Sequence, residues 1–136
     1  MQEKSGFNDA LELMKDLRQR CEWDAAQTHE SLRPYLIEEA YEVEDAIRAE
    51  NDSALKEELG DLLFQVLFHS VVAEERGAFD FSGVVEGFLR KMKSRQPHLY
   101  GGGERQSWEG MKAKKRESIV DGLPADTIQV NFTGSA

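Results

Sequence analysis

Asp52-Ser53-Ala54-Leu55-Lys56-Glu57-Glu58-Leu59-Gly60-Asp61-Leu62-Leu63-Phe64-Gln65-Val66-Leu67-Phe68-His69-Ser70-Val71-Val72-Ala73-Glu74-Glu75-Arg76 is the stretch that decides the fold. Wound at ~100° per residue, it carries Leu59, Leu62, Leu63, Phe64, Val66, Leu67, Phe68, Val71 and Val72 around nearly its whole circumference. A helix apolar all round must be covered on most sides. In a chain of 136 residues, the size of one ordinary domain, that predicts a central helix or a subunit interface. One narrow polar stripe remains: Glu58, Asp61, Gln65 and His69. Asp52 or Ser53 is placed to cap the start, and Gly77 to stop the end near Arg76.

The flanking sequence is also helical in pattern. Phe7, Ala10, Leu11, Met14 and Leu17 predict a first amphipathic helix over about 6–20. Cys21 to Gln27 breaks that rhythm and reads as a loop. From Thr28 or Ser31 to Arg48, the residues Leu32, Leu36, Ala40, Val43 and Ile47 form one stripe, with Pro34 near a first turn. Asp80 or Ser82 caps a fourth helix bearing Val84, Val85, Phe88, Leu89 and Met92. Arg95-Gln96-Pro97-His98 leaves the helix, and Gly101-Gly102-Gly103 is a loop. Ser107 caps a polar helix from Trp108 to about Ile119, which Gly122 and Pro124 end. The expected fold is all-α: a bundle of about four core helices plus a short C-terminal helix. Residues 1–123 make the domain and 124–136 a tail. The apolar third helix further predicts a homodimer or higher homo-oligomer.

Charge narrows the function. With 26 acidic and 17 basic residues, the net charge is -9. A nucleic-acid binder needs a basic footprint, so that class is disfavoured. A polyanionic small ligand is compatible, because divalent cations held by carboxylates present positive charge to phosphates. Cys21 is the only cysteine, which removes intramolecular disulfides and cysteine-based zinc sites. No apolar run reaches the roughly 18 residues of a membrane helix, and the N-terminus lacks a signal core, so a cytoplasmic protein is expected.

Two acidic patterns stand out: Glu38-Glu39-Ala40-Tyr41-Glu42, and Glu58-Leu59-Gly60-Asp61. Residues three apart share a helix face, so Glu39 neighbours Glu42, and Glu58 neighbours Asp61. The short linker predicts antiparallel packing of the two helices. Facing pairs would bring four carboxylates together beside a core, where like charges repel unless protons or cations intervene. Hard oxygen donors suit magnesium, manganese or calcium. The residues alone also allow a solvated stripe paired with Lys56 or Lys93. The residues three before His29, His69 and His98 are Ala26, Val66 and Arg95, so no Glu-x-x-His pair of a di-iron bundle exists. There is no His-Glu-x-x-His motif, phosphate loop or nucleophile turn.

Glu38-Glu39-x-x-Glu42 followed by Glu58-x-x-Asp61 resembles the signature of the MazG-type all-α nucleoside triphosphate pyrophosphohydrolases. The resemblance extends to Cys21-Glu22-Trp23-Asp24-x-x-Gln27-Thr28-His29, then Ser31-Leu32-Arg33-Pro34-Tyr35-Leu36, Phe79-Asp80 and Arg95-Gln96-Pro97-His98. It covers about residues 7–123. Glu22 stands where that family usually has proline, and Ser94 and Gln96 where it often has arginine and histidine. After Pro124 the pattern ends, and a single-domain or shortened member is expected.

The resemblance implies hydrolysis of nucleoside triphosphates to monophosphate and pyrophosphate by water attack at the α-phosphorus. Glu39, Glu42, Glu58 and Asp61 would ligate Mg2+, with Mn2+ as a substitute. Glu38 would deprotonate or orient the water, or support the ligands from outside. Trp23 and Gln27 would lie near the base or ribose, and Lys91 and Arg95 would reach the triphosphate. Alternatives are a relative restricted to dUTP, dCTP or phosphoribosyl-ATP, and a non-catalytic helical module that binds nucleotide or metal. Trp23-Asp24 and Arg95-x-Pro97-His98 favour the MazG branch.

Overall fold

The structure, a computed structural model, describes residues 6–100, which hold six helices and no strand. They are α1 (Phe7–Arg20), α2 (Glu22–Ala25), α3 (His29–Arg48), α4 (Asp52–Glu75), α5 (Phe81–Ser94) and α6 (Pro97–Tyr100). The fold is all-α, as the periodicity predicts. The chain divides into two compact units, one ending at Glu86 and the other beginning at Gly87. The helix expected over Trp108–Ile119, the glycine loop before it and the tail lie outside the described residues.

Local chemistry explains the boundaries. Thr28 caps α3: its side chain accepts from the Ser31 amide, and the Ser31 hydroxyl accepts from the Thr28 amide at 2.8 Å. This reciprocal arrangement satisfies two of the orphan donors at a helix start. It also places Pro34 inside the helix rather than near its first turn, so the Glu30 carbonyl loses its usual donor. Asn51, not Asp52 or Ser53, caps α4, its Oδ1 accepting from the Ala54 amide at 3.1 Å. Asp80 Oδ1 accepts from the Gly83 amide at 2.9 Å at the start of α5.

The turn between α3 and α4 is tight. Glu50 N–H donates to the Ile47 carbonyl and Asn51 N–H to the Ala46 carbonyl, a Schellman ending with Glu50 at φ 53°. Asn51 therefore closes one helix and caps the next. The same bond pattern ends α4, where Gly77 takes the left-handed position at φ 73°. Glycine adopts that conformation without penalty; glutamate does not.

Two expectations need correction. Cys21–Gln27 is not all loop: Glu22–Ala25 forms a single helical turn. Arg18 Nη1 holds it by donating to the Asp24 and Gln27 carbonyls, both at 2.7 Å, while Arg18 Nε donates to Glu75 at 2.9 Å. A clamp from α1 and α4 is invisible to local pattern. Similarly, Arg95-Gln96-Pro97-His98 leaves the helix only briefly, because Pro97 starts the short α6.

The core of the first unit consists of Met14, Leu32, Leu67, Phe68, Val71 and Val72, with Leu17, Phe64 and Phe81 packed on it. Every one of the α4 core residues lies in its C-terminal half. Leu59 and Val66, 48% and 38% exposed, show that the first unit does not cover the helix all round. Proximity of Glu42 to Glu58 and of His29 to His69 makes α3 and α4 antiparallel.

At the core end of that pair, His29 Nδ1 lies 2.8 Å from His69 Nδ1. The ring planes differ by 1° and the centroids are 5.1 Å apart. That separation exceeds the nitrogen distance by about two ring radii, so the rings lie end to end in one plane. This is the geometry of an N–H···N hydrogen bond, not of face stacking. Arg76 Nε donates to His29 Nε2 at 3.2 Å. His29 therefore carries its proton on Nδ1 and donates to His69, whose own proton sits on Nε2.

Candidate metal centre

Glu39 and Glu42 project from α3, and Glu58 and Asp61 from α4, one turn apart on each helix. One carboxylate oxygen from each lies within 4.8 Å of all the others. Asp61 is exposed; the other three are half-buried. Glu39 Oε2 and Glu58 Oε2 are buried without a hydrogen-bond partner. A cleft of about 320 Å³ opens beside the cluster, lined by Glu42, Asp45, Ala46, Asn51, Ala54 and Glu58.

The electrostatic consequences follow from this crowding. Burial, then the charges of Glu42 and Asp61, push the Glu39 carboxyl above its usual range. A hydrogen bond with Glu42, then burial and the surrounding negative charge, push Glu58 up to about 7. Two carboxyl groups share such a bond only when one holds a proton. The set thus retains protons at a pH where isolated carboxylates have lost them. A divalent cation relieves the same repulsion and supplies the missing partner for both orphaned oxygens. The donors are all hard oxygens, so the cluster fits an ion of the magnesium, manganese or calcium type.

The other candidate residues are placed differently. Glu38 is exposed on α3 beside Glu39, outside the four-oxygen group. Trp23 lies on α2, 47% exposed, edge-on to Tyr35 at 5.7 Å and to Phe68 at 6.4 Å. Gln27 steadies that turn: its Nε2 donates to the Trp23 carbonyl at 2.9 Å, and its Oε1 accepts from Ser31 Oγ at 2.8 Å. Lys91 is on α5 and Arg95 lies in the turn just after it, both in the unit that begins at Gly87.

Tyr35 belongs near this list although spacing did not single it out. It precedes Glu39 by four residues, shares the acidic face of α3 and holds Trp23. Its signal was the same helical period that grouped the acids. Gln65, buried one turn beyond Asp61, was visible only as part of the polar stripe on α4.

A family model described as the MazG nucleotide pyrophosphohydrolase domain matches residues 27–100, more than half of the chain and including all four acids. A Thermotoga maritima protein named nucleoside triphosphate pyrophosphohydrolase/pyrophosphatase MazG is 47% identical over 115 residues, 81% of this chain and 45% of that protein. The nucleoside triphosphate pyrophosphohydrolase of Escherichia coli is 36% identical over 126 residues, 84% of this chain and 48% of that one. The chain spans less than half the length of these curated relatives. A crystal structure of a mazG-related protein from Thermotoga maritima superposes with a TM-score of 0.63 at 26% identity, covering 82% of this chain and 98% of that one.

Proposed function

The chain belongs to the MazG nucleotide pyrophosphohydrolase domain family, and from that premise we propose that it hydrolyses nucleoside triphosphates to monophosphate and pyrophosphate with Mg2+. The observation that carries this reading is the convergence of Glu39, Glu42, Glu58 and Asp61, with two buried oxygens left for a cation to satisfy.

Glu39, Glu42, Glu58 and Asp61 hold Mg2+, or Mn2+ in its place. The bound ion neutralises phosphate charge and makes water a better nucleophile. Glu38, exposed beside the ligands, orients the attacking water and takes its proton. Trp23, steadied by Tyr35 and Gln27, offers a half-exposed aromatic edge for the base or ribose. Lys91 and Arg95 meet the phosphates and stabilise the departing pyrophosphate. Positioning and electrostatics supply most of the rate.

The domain proposal places the enzyme unit at residues 1–123 and a tail at 124–136. Exposed Leu59 and Val66 on α4, with Ile37, Tyr41 and Ile47 on α3, support a homodimer that covers them. No helix among the described residues is long and apolar enough to cross a membrane. The reading further takes the protein to be cytoplasmic, where nucleoside triphosphates are abundant, and to have no nucleic-acid partner.

Product analysis tests the central claim. The protein is incubated with each ribo- and deoxynucleoside triphosphate, with Mg2+ and then with EDTA. Monophosphate plus pyrophosphate, lost in EDTA, is the expected result. Diphosphate plus phosphate overturns attack at the α-phosphorus. No product from any nucleotide overturns broad nucleoside triphosphate hydrolysis and favours a restricted substrate or a non-catalytic module.

A further inference from the structure

Gln65 is only 5% exposed, yet its Oε1 has no hydrogen-bond partner. Removing an amide oxygen from water without compensation is costly, and such groups call for an explanation. Gln65 follows Asp61 by four residues and Glu58 by seven, so all three share one face of α4. Side chains on a helix lean toward its N-terminus, which tilts Gln65 toward the turn of Asp61. The other buried oxygens without a partner among the described residues are Glu58 Oε2 on that face and Glu39 Oε2 on α3. These are acceptors too, so the three oxygens cannot satisfy one another. They share a need for a positive or donating group placed among them.

We propose that Gln65 is a positioning residue of the metal centre, its amide oxygen accepting a hydrogen bond from a water in the hydration shell of the cation held by Glu39, Glu42, Glu58 and Asp61. The inference rests on the metal reading above and extends it to a residue outside the acidic set. At about 1.5 Å rise per residue, Gln65 is ~10 Å along the axis from Glu58. That is too far for both to bind one ion directly, so the contact proposed for Gln65 is to a water of the ion and not to the ion itself. Magnesium keeps several of its waters when bound by protein, and each is a strong donor in need of an acceptor. One turn further along the same face, His69 Nε2 is a buried donor without a partner. Arg76 and His29 force its proton onto that nitrogen. A carbonyl oxygen has two lone pairs, so His69 can orient the Gln65 amide while the other lone pair faces the cation.

The test is Mn2+ binding, followed by electron paramagnetic resonance with the metal alone, on the full chain. Gln65→Leu is expected to weaken Mn2+ binding about 10–100-fold. Its melting temperature in EDTA should stay close to that of the wild type, because an orphaned acceptor has gone while His69 Nε2 is left a buried donor without a partner. Gln65→Glu, which keeps the acceptor, should retain affinity within a few-fold. Should the leucine variant not fold, nearly isosteric Gln65→Met takes its place. Wild-type Mn2+ affinity in the leucine or methionine variant overturns the proposal. Loss of binding in Asp61→Asn alongside that result confines the failure to Gln65. A wild-type protein that takes up no Mn2+ overturns the metal reading and this proposal with it.

Discussion

The two ends of the α3–α4 pair are built on opposite principles. At one end Leu32 and Phe68 are fully buried, Met14 packs onto them from α1, and His29 and His69 form an in-plane hydrogen bond. At the other end four carboxylates crowd together and two of their oxygens are orphaned. The first end stabilises the fold; the second opposes it. The antiparallel helices and their short turn hold the acids in place regardless, so the strain persists until protons or a cation remove it. The difference teaches that the acidic end is a candidate working site maintained by the packing at the core end.

Breaking the core end should have the largest effect. Phe68→Ala is expected to cost about 3–5 kcal/mol of stability, read by denaturant unfolding in EDTA. Metal affinity of the remaining folded fraction should stay near wild type. If Phe68→Ala instead left stability unchanged and weakened metal binding, the division between the two ends would be wrong.

Breaking the acidic end should do the reverse. Asp61→Asn is expected to lower turnover at least about 100-fold, since even outer partners of metal ligands cost 10–100-fold. Its melting temperature in EDTA should match or exceed wild type, because one repulsive charge has gone. For the wild type, Mg2+ at 100 times its Kd should add ~2.7 kcal/mol, and EDTA should remove that gain. A clear fall in metal-free stability for Asp61→Asn would contradict the strained reading.

The pH dependence separates the ends by sign. Glu39 and Glu58 have raised folded-state values, Glu58 to about 7. They bind more protons folded than unfolded, so metal-free stability from this end falls as pH rises from the ordinary glutamate value through about 7. His69 is lowered by burial and then by the proximity of His29. Its contribution is present above the ordinary histidine value of 6.5 and is lost as pH falls through the lower folded value. Thermal melts across pH in EDTA should therefore show Glu58→Gln weakening the loss of stability as pH rises from 4.5 to about 7, and His69→Phe weakening the loss as pH falls below 6.5. Slopes moved in the same direction by both variants would show that the ends are not independent.

The smallest effect belongs to the turn that joins α3 to α4 at the acidic end. Glu50 occupies a left-handed position that glycine fills at the other Schellman turn. Glu50→Gly is expected to stabilise by about 1 kcal/mol or less, measured as a higher denaturant midpoint with activity retained.

Much of this was legible in the residues. The helical period located four long helices, and three-residue spacing paired the acids on each helix. Capping chemistry allowed Thr28, and Gly77 at positive φ matches its expected stop. The errors have physical causes. Asn51 was overlooked as a cap because it also ends the previous helix, and only the turn's bond pattern gives it both tasks. The α2 turn depends on Arg18 reaching from another helix. The choice between a central helix and a subunit interface for α4 is not a local matter: Leu59 and Val66 stay exposed in the first unit, so their covering by a second copy is a proposal.

By itself, then, the sequence determined the helices, the pairing of acids within each helix and the resemblance to the MazG family, because these depend on spacing along one chain. Only the tertiary structure decided that the two acidic pairs meet within 4.8 Å, that His29 and His69 share a proton in one plane, and that Gln65 is buried without a partner. Those facts depend on the register between α3 and α4. Register is a property of packing between segments, which the core at one end imposes on the acids at the other.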